Sequence, residues 1–402
     1  MIVIIGAGQA GIQTAISLRK YGSETAIVLV GEEAHPPYQR PPLSKAYLKG
    51  ESDCERLHLK PLSWFETNNI LLKMNSHVHA VDCKMSTVIL SSGEQIEYDK
   101  LVFATGSDPH VLAVEGKDLN GVMSLRKISD VDALRPYIKP GVKIAIVGAG
   151  YIGLEAAAVC SGYGMEVSVF EAADRILTRV SGVEVAEFLT QYHTKNGVTF
   201  HFGAKVVGFE GRDGHVCGIQ TEHHGEVSVD IVLMGVGIRP NSEIAESAGI
   251  ACKNGILVDE DAKTSVDGVW AAGDCAARPI VQLGGHHRLE SVHNAIEQGN
   301  LTAASIMQLP RPRVDVPWFW SDQNDLKLQT AGLLGGFDQS IIRGNLCDEK
   351  FSVWYFLGDK LLAVDAINSP PDFMVGKKLI QSQKAIDKWK ISDTGLSLKE
   401  LL

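Results

Sequence analysis

The dinucleotide-binding fingerprint GxGxxG occurs twice in this chain, at residues 6–11 (GAGQAG) and at residues 148–153 (GAGYIG). Each copy follows an apolar run, 2–5 or 144–147, and precedes a stretch in which apolar residues have helical spacing. In this motif the first glycine permits a tight turn, the second lets the backbone approach a pyrophosphate, and the third lets the helix pack closely on the strand. The repeat therefore predicts two Rossmann units, each with a phosphate at a helix N-terminus.

An acidic residue follows each fingerprint at the distance where ribose hydroxyls are bound, roughly 20 to 30 residues after the first glycine. Glu171 comes directly after a predicted strand, and Gly31 alone separates Glu32 from the strand before it. A carboxylate accepts hydrogen bonds from a free 2′-hydroxyl and repels a 2′-phosphate, so Glu171 favours NADH over NADPH. Two arginines lie close downstream, Arg175 and Arg179. Because they could bind a 2′-phosphate, NADPH stays open as an alternative.

The composition is that of an ordinary globular chain, with 402 residues, 45% hydrophobic and 21% charged, which is long enough for two or three cores. A net charge of -10 argues against a nucleic-acid partner and leaves the docking of an acidic protein to a local basic patch. No apolar run approaches the roughly 18 residues of a membrane helix. Because the first strand begins at once, without an export signal, we expect a cytoplasmic protein that does not bind a membrane.

The seven cysteines are scattered and form no CxxC or CxxxxC pair. Reduced, mostly buried thiols are the expected state. Cys54 lies in a predicted charged loop, 51–56, whose acidic residues disfavour a thiolate. We expect neither a redox cysteine nor a bound metal.

Three further segments are typical of a buried strand that ends in a glycine turn: 98–106, 230–237 and 269–274. A stretch with helical spacing follows at about 293–308. Beyond Pro310 the pattern changes to alternating runs, which predict a separate, partly antiparallel α+β domain with strands at 340–343, 351–357 and 361–366.

The order of motifs resembles that of a known family. Besides the two fingerprints with their acidic residues, the motifs in chain order are 40–45 (RPPLSK), 104–106 (ATG), 272–274 (AGD), 290–295 (ESVHNA) and 317–323 (PWFWSDQ). This series resembles the FAD-dependent pyridine-nucleotide oxidoreductases of the glutathione-reductase superfamily. Within that group it is most similar to the NADH-dependent ferredoxin reductases of oxygenase systems, and the resemblance covers essentially the whole chain.

The resemblance implies an α/β fold with two Rossmann-like dinucleotide-binding domains, for FAD and NAD, plus a C-terminal α+β interface domain. The FAD-binding domain would be discontinuous, with residues 1–109 and 235–310. The NAD-binding domain would be residues 110–234 and the interface domain residues 311–402. Members of this branch are monomers or homodimers, and both states stay open for this chain.

The resemblance also implies contacts to FAD. Arg40 and Arg126 would bind the pyrophosphate, and Asp274 would accept a hydrogen bond from the ribityl chain. Val292 and His293 would offer backbone N–H groups at a helix N-terminus, while the His293 ring is expected to pack. The full set of expected FAD contacts is Gly6, Gly8, Gln9, Ala10, Gly11, Glu32, Arg40, Lys45, Val78, Ala104, Thr105, Gly106, Arg126, Gly273, Asp274, Glu290, Ser291, Val292 and Trp320.

Two residues are expected to be catalytic. By resemblance, the Lys45 ammonium lies near the flavin N5 edge, where it would stabilise the negative charge that builds as hydride arrives. Glu155 would face the nicotinamide and could form an ion pair with Lys45. The expected NAD contacts are Gly148, Gly150, Tyr151, Ile152, Gly153, Glu155, Glu171, Arg179, Gly235, Val236 and Gly237.

The expected kind of electron acceptor follows from an absent motif. The disulfide reductases of the superfamily carry a CxxxxC pair on the helix that here bears residues 41–45, and this chain has none there. Electrons would therefore leave without a thiol relay, which favours an external one-electron acceptor. The resemblance implies an acidic [2Fe-2S] ferredoxin that feeds a Rieske dioxygenase or a cytochrome P450.

The expected docking surface lies in the C-terminal part of the chain, near Arg311, Arg313, Lys377 and Lys378. Phe319 is expected in the core, whereas a tryptophan at 318 or 320 would suit an electron exit route. Two alternatives stay open: an NADH reductase of another small acceptor, rubredoxin or a quinone, and an NADH-sensing flavoprotein that resembles apoptosis-inducing factor. Fold alone does not choose among them.

Overall fold

The structure is a computed structural model that describes residues 1–223 and 225–402. Its strands, in chain order, are β1 (Ile2–Ile5), β2 (Ile27–Val30), β3 (Ile70–Lys73), β4 (Val78–Asp82), β5 (Thr87–Leu90), β6 (Gln95–Glu97), β7 (Lys100–Phe103), β8 (Ser107–Pro109), β9 (Val122–Ser124), β10 (Lys143–Val147), β11 (Glu166–Glu171), β12 (Val198–Phe202), β13 (Val206–Arg212), β14 (His215–Thr221), β15 (Gly225–Ser228), β16 (Ile231–Met234), β17 (Ile238–Pro240), β18 (Ile256–Leu257), β19 (Val269–Ala271), β20 (Ala276–Pro279), β21 (His286–His287), β22 (Trp318–Gln323), β23 (Leu326–Gly332), β24 (Gln339–Asn345), β25 (Lys350–Leu357) and β26 (Lys360–Ile367).

The α-helices are α1 (Gln9–Lys20), α2 (Cys54–Leu57), α3 (Leu62–Thr67), α4 (Ile128–Leu134), α5 (Tyr151–Gly162), α6 (Val183–Lys195), α7 (Glu243–Ser247), α8 (Val292–Ile306), α9 (Pro370–Ser382) and α10 (Lys388–Ser392). Short 3₁₀ helices span Pro41–Ser44, Arg135–Tyr137, Leu346–Asp348 and Leu398–Leu401. Within the described residues, no helix combines the length and the apolar composition that crossing a bilayer requires.

Backbone packing divides the chain into two compact units. The first consists of Met1–Gln39, Glu55–Asp108 and Arg239–Asp315. The second consists of Arg40–Cys54, Pro109–Ile238 and Val316–Leu402. The motif at residues 40–45 therefore belongs to the same unit as the second fingerprint.

The first unit is built on a parallel five-stranded sheet in the order β19-β7-β1-β2-β3. Strands β1 and β2 are aliphatic and fully buried, as a parallel strand covered on both faces requires. Ile5 pairs with both Val30 and Phe103, so the turns that follow β1, β2 and β7 meet at one edge. In open α/β sheets this carboxyl edge is where ligands bind.

The second unit repeats this arrangement in a parallel sheet with the order β12-β11-β10-β16-β9. Val147 pairs with both Phe170 and Met234, so the turns after β10, β11 and β16 also meet at one edge. An antiparallel sheet, β13-β14-β15, packs against this parallel sheet through Val216 and Ile219. The two predicted Rossmann units are therefore present.

The C-terminal part of the second unit is an antiparallel five-stranded sheet in the order β22-β23-β26-β25-β24. Helix α9 packs on it, and Trp354, Phe356, Val364 and Leu379 form the buried contact. This is the α+β part that the alternating pattern beyond Pro310 predicts. Every strand pair in the sheet is antiparallel, which is more regular than expected.

Three local expectations differ from the structure. Residues 41–45 were expected on a helix, but only the 3₁₀ turn Pro41–Ser44 forms, because the backbone of Lys45 leaves the helical region, with φ −133° and ψ −115°. Cys54 begins the short helix α2 and is not in a loop. The helix expected at 293–308 ends at Ile306, because Gln308 has a left-handed φ of 55°.

The third glycine of each fingerprint is required by a close backbone approach. A Cβ built on Gly11 would lie 1.9 Å from the carbonyl oxygen of Gly6, and one built on Gly153 would lie 2.3 Å from that of Gly148. Both distances are far below van der Waals contact. Only glycine lets α1 and α5 begin so near to the strand ends that carry the turns.

Replacing Gly153 by alanine should lower the thermal unfolding midpoint by roughly 2–6 °C, because the carbonyl group of Gly148 must move and overpacking of this kind costs about 1–3 kcal/mol. Gly162 ends the same helix, and the nearest atom to its built Cβ is the Asn324 side-chain oxygen at 4.0 Å. Gly162→Ala should therefore leave the midpoint unchanged or raise it slightly. Equal midpoints for the two variants would contradict the close approach.

Candidate active site

The first fingerprint forms a turn at the carboxyl end of β1. Gly6 has a φ of 109°, and its built Cβ would lie 2.1 Å from the carbonyl oxygen of Ala104 in the turn after β7. Gly8 is the N-cap of α1; its built Cβ would meet nothing within 4 Å among the described residues, and no described side chain caps the helix. Open space before a helix N-terminus fits a pyrophosphate, with the first helical turn formed by Gln9, Ala10 and Gly11.

The turns after β7 and β19 add polar groups at the same edge. The Thr105 hydroxyl donates to the carbonyl oxygen of Asn241 at 2.5 Å, and the Asn241 N–H donates to that of Gly106 at 3.0 Å. The Ser107 hydroxyl donates to an oxygen of the Asp274 carboxylate at 2.9 Å. This hydrogen bond orients Asp274, the residue expected at the ribityl chain.

Helix α8 begins with a side-chain cap. Ser291 is the N-cap, and its hydroxyl oxygen accepts from the Asn294 N–H at 3.1 Å. Further along the helix, the side-chain oxygen of Gln298 accepts from the Gly273 N–H at 2.5 Å. Among the described residues, the buried Oδ1 of Asn294 and Nε2 of Gln298 have no hydrogen-bond partner. These buried polar atoms fit a helix that faces the polar part of a cofactor.

Two residues around this helix start lie beside charged side chains. Glu290 lies 2.9 Å from the guanidinium of Arg288. The His293 ring is largely buried, with Nε2 3.4 Å from a carboxylate oxygen of Asp315. The His293 ring is thus packed within its own unit, while the adjacent Val292 is the first residue of the helix.

The remaining expected FAD contacts of the first unit lie near the end of β2. Glu32 is exposed, and its carboxylate is 3.6 Å from the His77 ring. Val78 is buried and begins β4. Both belong to the carboxyl side of the sheet, which is compatible with contacts to an adenosine group.

The second fingerprint has the same geometry as the first. Gly148 has a φ of 99°, and its built Cβ would lie 2.5 Å from the carbonyl oxygen of Gly235, the residue after β16. Gly150 is the N-cap of α5; within the described part of the chain its built Cβ has no neighbour within 4 Å and the helix has no side-chain cap. The first turn of the helix is formed by Tyr151, Ile152 and Gly153.

Glu171 ends β11 beside this turn. One oxygen of its carboxylate accepts from the Ala149 N–H at 2.7 Å, and the other accepts from the Ala173 N–H at 2.8 Å. These two backbone donors fix the orientation of the carboxylate. The carboxylate stands where a ribose binds in Rossmann units, which supports NADH over NADPH.

The two arginines downstream of Glu171 have different surroundings. The Arg175 guanidinium donates to three carbonyl oxygens of its own loop, at 3.1–3.2 Å: those of Ile176, Thr178 and Ser181. Arg179 is exposed, and its guanidinium lies 3.5 Å from the Cβ position of Gly237, which follows Val236 after β16. Arg175 thus forms its hydrogen bonds within the loop, whereas Arg179 lies beside Gly237, an expected NAD contact.

Arg40 and Arg126 are brought together in the second unit. The Arg40 guanidinium donates to the carbonyl oxygen of Arg126 at 2.6 Å. The Arg126 N–H donates to the Asp130 carboxylate at 2.8 Å, just after β9. Of the expected FAD contacts, this unit holds Arg40, Lys45, Arg126 and Trp320, and the first unit holds the others.

A buried ion pair joins the two residues expected to be catalytic. The Lys45 ammonium lies 2.6 Å from Glu155 Oε2, and Glu155 is 4% exposed. The Ser44 hydroxyl donates to the same carboxylate oxygen, and the Ser321 hydroxyl donates to the other at 2.6 Å. A buried carboxylate is costly unless donors compensate it, and here three do. The ion pair predicted from the sequence is therefore present.

A chain of buried side chains continues from Ser321. Gln323 donates to the Ser321 oxygen at 3.1 Å, and the His193 Nε2 lies 2.7 Å from the Gln323 side-chain oxygen. Since Ser321 donates to Glu155, each member donates toward the carboxylate, which assigns the Nε2–H tautomer to His193. Burial lowers the pKa of His193, so its ring stays neutral at neutral pH.

Aromatic rings surround the start of α5. Tyr151 stacks on Phe319 with ring centroids 4.4 Å apart. Trp320 lies 6.2 Å from Phe319 and 5.4 Å from Trp318, again between centroids. Phe319 was expected in the core, but it is only half-buried and its ring stacks on the fingerprint residue Tyr151.

The thiols are consistent with a chain without a redox cysteine. All seven cysteines are described, and none of them forms a disulfide bond. Burial raises the pKa of Cys160 to about 12 and that of Cys252 to about 11. Both stay protonated at neutral pH and are poor nucleophiles.

The cationic residues expected to dock a partner differ in their surroundings. The Arg311 guanidinium pairs with Asp261 and lies 2.5 Å from Glu260, so two acids compensate its charge. The Lys377 ammonium lies over the Trp318 ring, 5.6 Å from its centroid. The other two expected cations are exposed: Arg313 and Lys378.

Several site residues were not identified from the sequence. Ser321 and Gln323 stand within the motif at 317–323, where strand alternation places both on one face of β22. That alternation was the available signal. Ser107 and His193 gave no signal, because their partners, Asp274 and Gln323, are distant in sequence.

Comparisons with known proteins agree with this architecture. A family model described as pyridine nucleotide-disulphide oxidoreductase matches residues 1–299, and one described as reductase C-terminal matches residues 318–402. The chain is 39% identical to rhodocoxin reductase of Rhodococcus erythropolis over 398 residues, covering 99% of this chain and 93% of that protein. It is 40% identical to the probable ferredoxin reductase CtmF of Castellaniella defragrans over 401 residues, covering 100% and 98%.

Among solved structures, the covalent putidaredoxin reductase–putidaredoxin complex matches with a TM-score of 0.97 and 36% sequence identity, covering 100% of this chain and 97% of that one. The expected α/β fold and the resemblance to ferredoxin reductases are both confirmed. The chain belongs to the pyridine nucleotide-disulphide oxidoreductase family.

Proposed function

We propose that this protein is an FAD-dependent ferredoxin reductase that takes electrons from NADH and passes them to a [2Fe-2S] ferredoxin. The observation that carries the proposal is the buried Lys45–Glu155 ion pair, which lies in the segment where the disulfide reductases of this family have a redox cysteine pair. A charge pair cannot relay electrons as a dithiol does. The electrons must therefore leave directly to an external acceptor.

The first unit provides the expected FAD-binding groups. The open N-terminus of α1 beyond Gly8 would bind the pyrophosphate, and Asp274, oriented by Ser107, would bind the ribityl chain. When bound, FAD converts the two-electron chemistry of NADH into one-electron steps. We assign residues 1–109 and 235–310 to the FAD-binding domain, 110–234 to the NAD-binding domain and 311–402 to the interface domain.

The second unit provides the NADH-binding groups. The open N-terminus of α5 beyond Gly150 would bind the pyrophosphate, and Glu171 would accept hydrogen bonds from the adenosine ribose. Arg179 would flank the nucleotide, with Gly235 and Gly237 providing space beside it. Because Arg175 already donates to its own loop, no second arginine is left there for a 2′-phosphate.

Lys45 and Glu155 act by electrostatics in this account. The ammonium of Lys45 is held in place by Glu155 and by the carbonyl oxygen of Pro41 at 3.4 Å. A fixed charge with little access to water stabilises developing negative charge more strongly than a mobile, solvated one. Ser44 and Ser321 keep the carboxylate in position.

The electron acceptor would be an acidic ferredoxin that serves a Rieske dioxygenase or a cytochrome P450. Arg313, Lys377 and Lys378 would steer its approach, with a smaller share from Arg311 because two acids already pair with it. The half-buried Trp320 would lie on the electron exit route. We place the reaction in the cytoplasm, where the NADH pool is available.

Steady-state oxidation of NADH by the FAD-loaded protein, with a [2Fe-2S] ferredoxin titrated in, tests this function. We expect saturable ferredoxin reduction, and a much lower kcat/KM with NADPH because Glu171 repels the 2′-phosphate. If the enzyme reduces rubredoxin or a quinone but no ferredoxin, its acceptor is not a ferredoxin and the alternative reductase function holds. Slow turnover with every acceptor, together with an NADH-dependent change in molecular mass, would point to a sensing role.

Lys45→Met and Glu155→Gln should each lower the rate of NADH-dependent flavin bleaching by about 10- to 100-fold, because each change removes a charge of the buried pair. Lys49→Met makes the same change four residues away and should leave the rate within about twofold of wild type. Stopped-flow absorbance measures all three. Wild-type rates in both Lys45→Met and Glu155→Gln would exclude these residues from the step.

Docking of an acidic partner should depend on salt. Ferredoxin reduction is expected to slow as ionic strength rises, because screening weakens steering. The double variant Lys377→Gln/Lys378→Gln should lower kcat/KM for ferredoxin by about 3- to 10-fold at low salt and flatten the salt dependence. Arg311→Gln should change it less, since that charge is compensated. A double variant with the wild-type salt slope would contradict this docking surface.

A further inference from the structure

The loop between Glu171 and α6, residues 172–182, borders the second fingerprint. The Leu177 N–H donates to the carbonyl oxygen of Ala149, the middle residue of the glycine turn, at 3.1 Å. Ala149 in turn donates its own N–H to Glu171. Arg179, in the same loop, points its guanidinium toward Gly237. The position of this loop therefore decides where two expected NADH contacts, Glu171 and Arg179, stand.

The conformation of the loop is unusual enough to need support. Leu177 has a left-handed φ of 50°, which costs a non-glycine residue roughly 1 kcal/mol. Its side chain is 3% exposed. The Arg175 guanidinium ties the loop together through three of its carbonyl oxygens, and the Thr178 hydroxyl donates to the carbonyl oxygen of Arg175 at 2.8 Å. These bonds make the loop compact, but they do not fix it to the rest of the unit.

The end of the loop is fixed by a buried carboxylate of the C-terminal sheet. Asp365, in β26, is completely buried. Its carboxylate accepts from the hydroxyls of Ser181 at 2.6 Å, Thr330 at 2.5 Å and Tyr355 at 2.9 Å. The Tyr355 oxygen also accepts from the Gly182 N–H at 3.2 Å. Ser181 and Gly182, the last two residues of the loop, thus share one hydrogen-bonded centre.

The Gly182 backbone is pressed against Tyr355. A Cβ built on Gly182 would lie 2.5 Å from the Tyr355 ring, so the contact leaves no room for a side chain. Burial raises the pKa of Asp365, and the three hydroxyl donors oppose that shift. The three hydroxyl donors therefore satisfy the hydrogen-bonding capacity of this buried carboxylate.

The same centre reaches the helix of the fingerprint. Thr330 pairs directly with Asp365 across β23 and β26. Burial raises the pKa of the Tyr151 hydroxyl, the Asp365 carboxylate raises it further and the Thr330 side chain opposes the shift, so both side chains lie near this hydroxyl. Tyr151 is the first residue of α5. One carboxylate of the C-terminal sheet is therefore connected to both sides of the expected NADH site, the loop after Glu171 and the start of the fingerprint helix.

We propose that Asp365 is a positioning residue for NADH: by holding Ser181, Tyr355 and Thr330, it fixes the 172–182 loop and the start of α5 in the arrangement that binds the coenzyme. The proposal rests on the proposed function, in that NADH binds the second fingerprint. Asp365 itself does not touch the coenzyme. The C-terminal sheet thereby contributes to coenzyme affinity as well as to partner docking.

The test uses the full FAD-loaded enzyme with Asp365→Asn, in which a carboxamide must accept the same hydroxyl donors without charge. The KM for NADH should rise by about tenfold, with a smaller change in kcat, because hydrogen bonds to charged groups are worth roughly that factor. Backbone amides at 177–183 should exchange hydrogen about tenfold faster with no NADH added. Ser181→Ala removes a single donor, keeps the carboxylate satisfied by two others, and should show the same pattern more weakly.

Asp372→Asn is the matched control. Asp372 is also a buried acid of the C-terminal part. It accepts from the Ser352 hydroxyl at 2.7 Å and lies 3.7 Å from the Arg343 guanidinium, away from the loop. It should leave both the KM for NADH and exchange at 177–183 unchanged. The proposal is overturned by wild-type exchange and KM in Asp365→Asn, by faster exchange with unchanged KM, or by equal effects in Asp372→Asn. If wild type does not oxidise NADH at all, the proposed function fails, whereas the exchange measurement still tests the anchoring.

Discussion

The close approach of backbone atoms at the two fingerprints is the constraint on which the rest of the structure depends. Because Gly11 and Gly153 have no side chain, α1 and α5 start against the carbonyl groups of Gly6 and Gly148. This places each helix N-terminus at the carboxyl edge of its sheet, next to the turns from neighbouring strands. Nearly every group assigned to cofactor binding stands at one of these two edges, because the register of parallel strands aligns their ends.

Two buried carboxylates tie the second unit together. Glu155, on the fingerprint helix, accepts from Ser321 of the C-terminal sheet, while Asp365, in that sheet, accepts from Ser181 of the 172–182 loop. Each has three donors, so burial does not leave a charge uncompensated. Their directions are opposite: the sheet donates to the helix at one site and accepts from the loop at the other. Such polar contacts are specific in geometry, which apolar packing alone is not.

Much of the fold could be predicted from the sequence, because glycine spacing and buried aliphatic runs are local signals. The strands at 2–5 and 144–147 and the two Rossmann units follow from motifs, whereas the Lys45–Glu155 pair was implied by the family resemblance. The groups that orient that pair could not be predicted. The partners in the chain from Ser321 to His193 are separated by up to 130 positions, and no local pattern encodes such a contact. The 3₁₀ turn at 41–44 was missed because no local pattern indicates that the Lys45 backbone leaves the helical region.

The measurement that tests the central claim most directly is an electron count under anaerobic conditions. The FAD-loaded enzyme is given a limiting amount of NADH and an excess of [2Fe-2S] ferredoxin, and the reduced ferredoxin is quantified by its absorbance. A reductase that splits a hydride into single electrons should yield two reduced ferredoxins for each NADH consumed. Complete consumption of NADH with the ferredoxin left oxidised would contradict the account.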